Sequence, residues 1–141
     1  MNAINLLIVD DEERFLTTTK KLLDKRGMNT TTCTNGAEAL RIVEERPLDV
    51  ILLDVKMPGI DGMEVLRRIR QDHPDIQVLL LTGHVSIESA VEGLKLGAFD
   101  YLLKPLTISE IQSKVAAAFA EKQARKTLKR REKVKQATNS Q

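Results

Sequence analysis

Four mainly apolar runs and one Thr-rich run divide this chain, and between them apolar residues recur at the spacing of a helix. The runs are INLLIV, Asn29 to Cys33, Asp49 to Leu53, Ile76 to Leu81 and Phe99 to Leu103, and each reads as a strand. In Asp49 to Leu53 the apolar positions are continuous rather than alternating, which marks a strand covered on both faces. Helical spacing carries Phe15, Leu16, Leu22 and Leu23 as far as Arg26, where Gly27 stops the helix. Asn35 and Gly36 open a second helix with Ala39, Leu40 and Val43 on its apolar stripe, and Pro47 follows its end. After a turn-rich loop of Met57, Pro58, Gly59, Asp61 and Gly62, a third helix carries Val65, Leu66 and Ile69 as far as Asp72, His73 and Pro74. Ser86 to Leu96 forms a fourth, carrying Ile87, Ala90, Val91 and Leu94, with Gly97 as its cap. Thr107 or Ser109 caps a fifth, striped by Ile108, Ile111, Val115 and Phe119.

Strands that alternate with helices, never two in succession, build βαβ units. The expected class is therefore α/β: a doubly wound, five-stranded parallel sheet with five helices on its two faces.

Length and composition narrow this further. A chain of 141 residues, 42% of them hydrophobic, supports one core and is short for two domains. Its longest apolar run falls well below the roughly 20 residues of a membrane span, and the opening residues lack a basic start, so a cytosolic (cytoplasmic) setting is expected. Cys33 is the one cysteine, which fits a reducing compartment, and no basic or His neighbour marks it as an activated thiolate. Charge divides the chain at about residue 120. Residues 121–141 hold eight Lys or Arg against two Glu, while the rest carries a net −4. We expect a domain over 1–120 and a basic helical extension or linker over 121–141 that frays at its end. The acidic body argues against direct nucleic-acid binding, and no helix-turn-helix or zinc pattern accompanies the basic tail.

The candidate chemistry lies where the runs stop. Asp10 and Asp11 follow the first, Asp54 the third, Thr82 the fourth, and Lys104 with Pro105 the fifth. Taken singly, these are ordinary caps and turn residues. In one parallel sheet the same residues share the crevice outside the strands' carboxyl ends, where such sheets bind ligands. Three carboxylates brought together repel one another unless one takes a proton or a cation sits among them. Mg²⁺ suits an all-oxygen site of this kind, and a carboxylate beside it can act as a nucleophile toward phosphorus. Lys104 and the Thr82 hydroxyl can then each engage a phosphoryl oxygen, with Gly83 leaving room for an incoming group. Pro105 holds the backbone after the lysine, and a cis bond is one form it can take.

The segments LLIVDDE, DVILLDVKMPGIDG, VLLLTGH and GAFDYLLKP, within a stretch from Asn5 to about Ala120, resemble the receiver domain of bacterial two-component response regulators. Their wording is similar to receivers that precede nitrogen-regulator-type activators. The resemblance implies a flavodoxin-like strand order 2-1-3-4-5. It implies Asp54 as the phosphoacceptor, Asp11 and Asp54 as magnesium ligands with the Lys56 backbone carbonyl, and Asp10 acting through water. Thr82, Gly83 and Lys104 would touch the phosphoryl group, and Thr82 with Tyr101 would act as the switch. Lys56 and His84 would flank the path of attacking water, whereas His73 reads as a surface turn residue. Implied partners are a sensor histidine kinase or phosphotransfer protein and a downstream protein at the surface of helix 4, strand 5 and helix 5. Self-association on phosphorylation is compatible with it, and the alternative to a stand-alone receiver is a receiver that forms part of a longer transcriptional regulator.

Three other classes fit less well. Phosphohydrolases with an aspartyl nucleophile typically place a second Asp two residues later, where this chain has Lys56. Nucleotide-binding glycine loops are missing from the sequence. A receiver-like module that only docks would not need the complete acid set.

Overall fold

The structure, a computed structural model, describes residues 3–57, 59, 61–83 and 87–139. The chain runs β1 Asn5–Val9, α1 Glu13–Lys25, β2 Asn29–Cys33, α2 Gly36–Glu45, β3 Val50–Asp54, α3 Gly62–Asp72, β4 Gln77–Thr82, α4 Ile87–Lys95, β5 Asp100–Leu103 and α5 Ile108–Asn139. All strand pairs are parallel, in the order β2-β1-β3-β4-β5. Both the class and the order match expectation.

Residues alternate between two layers along each strand. Leu7, Val9, Ile51, Leu53, Val78 and Leu80 face Ala39, Ile42 and Val43 of α2 and Val65, Leu66 and Ile69 of α3. Leu6, Ile8, Val50, Leu52, Leu79 and Leu81 face Leu16 and Leu23 of α1 and Ile111, Val115 and Ala118 of α5. Full burial of each such side chain stabilises by about 1.5–3 kcal/mol, and this sets the sheet's register firmly.

Strands β3 and β4 each begin and end one residue later than the apolar runs predict. Asp54 pairs in the ladder with Leu81, and Thr82 with Leu103. Backbone pairing ignores side-chain polarity, so the apolar run stops before the strand does. Asp54 and Thr82 are thus final strand residues, anchored on the ladder.

Helix ends follow the expected chemistry. The Asn35 side chain accepts from Glu38 N, and Asp61 accepts from Met63 N and Glu64 N. Thr107 caps α5 through a reciprocal pair with Glu110, leaving Ser109 inside the helix. His73 does more than turn the chain: it follows α3 and its Nε2 lies 2.8 Å from Glu44 Oε1, linking α3 to α2.

No break in α5 marks residue 120. The helix carries Lys122 into the body: its Nζ lies 2.6 Å from Asp49 Oδ1 and 3.3 Å from the Leu48 carbonyl, just before β3. Lys129 adds a pair to Asp75 at 3.2 Å. Part of the tail's positive charge is therefore used against the acidic body.

Candidate functional site

Parallel register decides which side chains meet. Val9 pairs with Leu53, so the residues that follow them, Asp10 and Asp54, emerge side by side. Carboxylate oxygens of Asp10, Asp11 and Asp54 all lie within 4.8 Å of one another. Asp11 is exposed, Asp54 nearly buried, and Asp10 fully buried.

Each carboxylate is held differently. Asp10 Oδ1 accepts from Glu12 N at 2.9 Å, and its Oδ2 lies 2.7 Å from Lys104 Nζ, a contact held by charge rather than by hydrogen-bond angle. Asp54 Oδ1 accepts from Lys56 N at 3.0 Å, which folds the loop after β3 back over the acid. Burial pushes the Asp54 carboxyl up from its ordinary 3.8 to about 6. The charges of Asp10 and Asp11 add to this rise, while the Lys56 N–H and Lys104 oppose it. Such a group is poised to receive a cation.

Lys104 follows β5, on a cis bond to Pro105. Burial alone would lower its ammonium, but its pairing with Asp10, the hydrogen bond to Glu12 and the charge of Asp54 hold it above its ordinary value. Its Nζ also lies 4.7 Å from the centroid of the Phe15 ring. Thr82 ends the neighbouring strand, half-buried, and its carbonyl accepts from Lys104 N at 2.9 Å. Gly83 lines a groove of ≈ 430 Å³ with Glu12, Phe15, Lys104, Pro105 and Leu106. Tyr101 sits in β5, half-buried against the layer of α2 and α3. His84 lies outside the described residues.

Three participants escaped sequence reasoning. Glu12 and Phe15 touch Lys104 only because α1 starts beside the end of β5, 92 positions away in the chain for Glu12. Gly62 is the third. A Cβ there would stand 2.5 Å from the Asp54 backbone oxygen and 2.9 Å from Val55 Cα, so only glycine lets α3 start against the acceptor loop. The Asp61–Gly62 dipeptide was the available signal. Gly62→Ala is expected to cost about 1–3 kcal/mol in urea unfolding by displacing that loop; an unchanged unfolding midpoint would show that the loop yields freely.

The family model for the response regulator receiver domain matches residues 6–116. The chain belongs to this family. Among curated proteins, this receiver is 41% identical over 117 residues to the transcriptional regulatory protein ZraR of Escherichia coli O157:H7, covering 83% of the chain and 26% of that protein. It is 38% identical over 113 residues to the DNA-binding transcriptional regulator NtrC of Escherichia coli strain K12, covering 80% of the chain and 24% of that protein. The receiver thus spans about a quarter of these relatives. A CheY-like receiver domain protein from Methanospirillum hungatei JF-1 superposes with a TM-score of 0.84 at 27% identity, covering 88% of this chain and 99% of that one. NtrX from Brucella abortus gives 0.85 at 27% identity over 90% of this chain and 29% of that one. Accepting a phosphoryl group is what this family does, and the carboxylate cluster is where the present fold can do it.

Proposed function

We propose that this receiver takes a phosphoryl group onto Asp54 from the phosphohistidine of a sensor histidine kinase or phosphotransfer protein. The observation that carries this is the gathering of three carboxylates within 4.8 Å with the Lys104 ammonium against one of them. In the transfer, an Asp54 oxygen forms the new P–O bond as the P–N bond to the donor imidazole breaks, and that nitrogen regains a proton from solvent. Lys104 then pairs with one phosphoryl oxygen and the Thr82 hydroxyl donates to another, with Gly83 leaving the approach open. Hydrolysis reverses the state when water attacks phosphorus and the carboxylate leaves.

The donor set fits Mg²⁺: it is all oxygen, and one carboxyl has its pKa raised by burial and, to a lesser extent, by the charges of Asp10 and Asp11. Asp11, Asp54 and the Lys56 backbone carbonyl would hold the ion directly. Both Asp10 oxygens are engaged inside the protein, which suits contact through water. Bound there, the ion neutralises charge on the phosphoryl oxygens. We read the domain as a phosphoacceptor that acts on itself and turns over no other substrate.

Output follows from repacking. Thr82 drawn toward the phosphoryl group frees space for Tyr101, which reshapes the surface of α4, β5 and α5. Exposed Val91, Leu94 and Leu103 supply apolar area there for a downstream protein or a second copy. We assign residues 1–120 to the receiver and 121–141 to a helical linker within a longer cytoplasmic transcriptional regulator, in keeping with the quarter-length match to ZraR and NtrC.

The test is to incubate the protein with Mg²⁺ and a small phosphodonor, reduce the acyl phosphate with borohydride and map the modified residue by mass spectrometry. Conversion at Asp54 is expected. Conversion at any other carboxylate would overturn the assignment.

A further inference from the structure

The Lys104 ammonium is closely surrounded in this structure. Its Nζ stands 2.7 Å from Asp10 Oδ2, 2.9 Å from Glu12 Oε1 and 4.7 Å from the centroid of Phe15. Two carboxylates and a ring face thus share one ammonium, with the Glu12 oxygen accepting a hydrogen bond from it. A phosphoryl oxygen on Asp54 competes with these neighbours for the lysine's charge.

The three contacts differ in what their loss costs. Asp10 is 0% exposed, so removing its cation would strand a buried charge. The Phe15 ring contact tolerates a pivot of the lysine stem, because attraction to a ring face is broad in angle. The Glu12 carboxylate is 64% exposed, and water takes the place of the ammonium as it leaves. The ≈ 430 Å³ groove lined by Glu12, Phe15, Gly83, Lys104, Pro105 and Leu106 gives the released side chain room to turn. Glu12 is also separate from the acid cluster: its backbone N–H fixes Asp10, while its side chain reaches away to the lysine.

We propose that Glu12 is a positioning residue that holds Lys104 in its resting place and competes with the phosphoryl group for the ammonium. This rests on Asp54 being the acceptor. Glu12 thereby sets how readily the lysine is released to the phosphorylated state.

Glu12→Gln keeps the side chain's shape and removes its charge. With phosphoramidate and Mg²⁺ both saturating, labelling of Asp54 is expected to run about two- to fivefold faster in this variant, the range that an exposed ion pair supports. Glu13→Gln is the control for general charge removal, since Glu13 lies in the first turn of α1 and is not a partner of Lys104. It is expected to change the rate by less than about 1.5-fold, and Glu12→Asp, which restores charge, to fall back toward wild type. In the metal-free protein, nitrogen-detected NMR of the Lys104 ammonium is expected to show faster proton exchange with water in Glu12→Gln. Unchanged or slower labelling, equal acceleration by Glu13→Gln, or unchanged ammonium exchange would each overturn the proposal. A wild-type protein that takes no label at Asp54 would sink the acceptor assignment instead, and the NMR comparison would still decide the Glu12 contact.

Discussion

Asp54→Asn is expected to lose phosphoryl labelling by about 10⁴-fold or more, to background, while the folded protein becomes more stable in the absence of divalent cations. Loss of labelling follows because an amide oxygen cannot form a stable acyl phosphate. The gain in stability follows from burial and the charges of Asp10 and Asp11, which raise the Asp54 carboxyl from 3.8 to about 6. A carboxyl raised on folding binds its proton more tightly in the native state. As pH climbs from about 4 to about 6, the unfolded chain ionises Asp54 before the native state does, so stability falls across that window and stays lower above it. The shift corresponds to roughly 2–3 kcal/mol as an order of magnitude. Urea unfolding of metal-free protein between pH 4 and 8 checks this. Wild type should decline relative to Asp54→Asn through that window, and parallel curves would show that Asp54 carries no such strain. Added Mg²⁺ should restore wild type more than the variant, by about 2.7 kcal/mol at one hundred times its dissociation constant.

Lys104→Met is expected to do damage twice. Transfer should slow by about 10²- to 10³-fold through loss of a donor to the transition-state oxygens. Stability should fall by about 3–5 kcal/mol, because Asp10 is fully buried and its Oδ2 loses the ammonium that lies 2.7 Å away. These two losses separate in a double-mutant cycle. Adding Asp10→Asn removes the stranded charge, so stability should recover by most of the deficit while transfer stays slow. Stability that does not recover would mean that the rest of the lysine side chain, whose Nζ lies over the Phe15 ring, matters more than its pairing with Asp10.

Much of this architecture was legible in the residues because local patterning encodes it. Continuous apolar runs announced strands covered on both faces, and Leu52 and Leu53 do face opposite layers. Asn35, Asp61 and Thr107 cap helices because a short polar side chain is the cheapest partner for orphan N–H groups at a helix start. Polar residues at the ends of those runs also pointed to the acid pocket, since parallel strands place their carboxyl ends together. The ends themselves were misplaced by one residue at Asp54 and Thr82, where ladder pairing continues beyond the last apolar side chain. The tail's charge marked a separate extension from residue 121, yet Lys122 is buried against Asp49 of the body.

The linear order of residues was enough for the strands, the helices, and which acids and which lysine stand at strand ends, because each depends on neighbours a few positions away. The fold alone could decide that Lys104 rests between Asp10, Glu12 and Phe15, and that Gly62 lies against the Asp54 carbonyl. Those contacts join segments that share no local pattern, brought within a few ångströms only when buried apolar layers lock the register of non-adjacent strands.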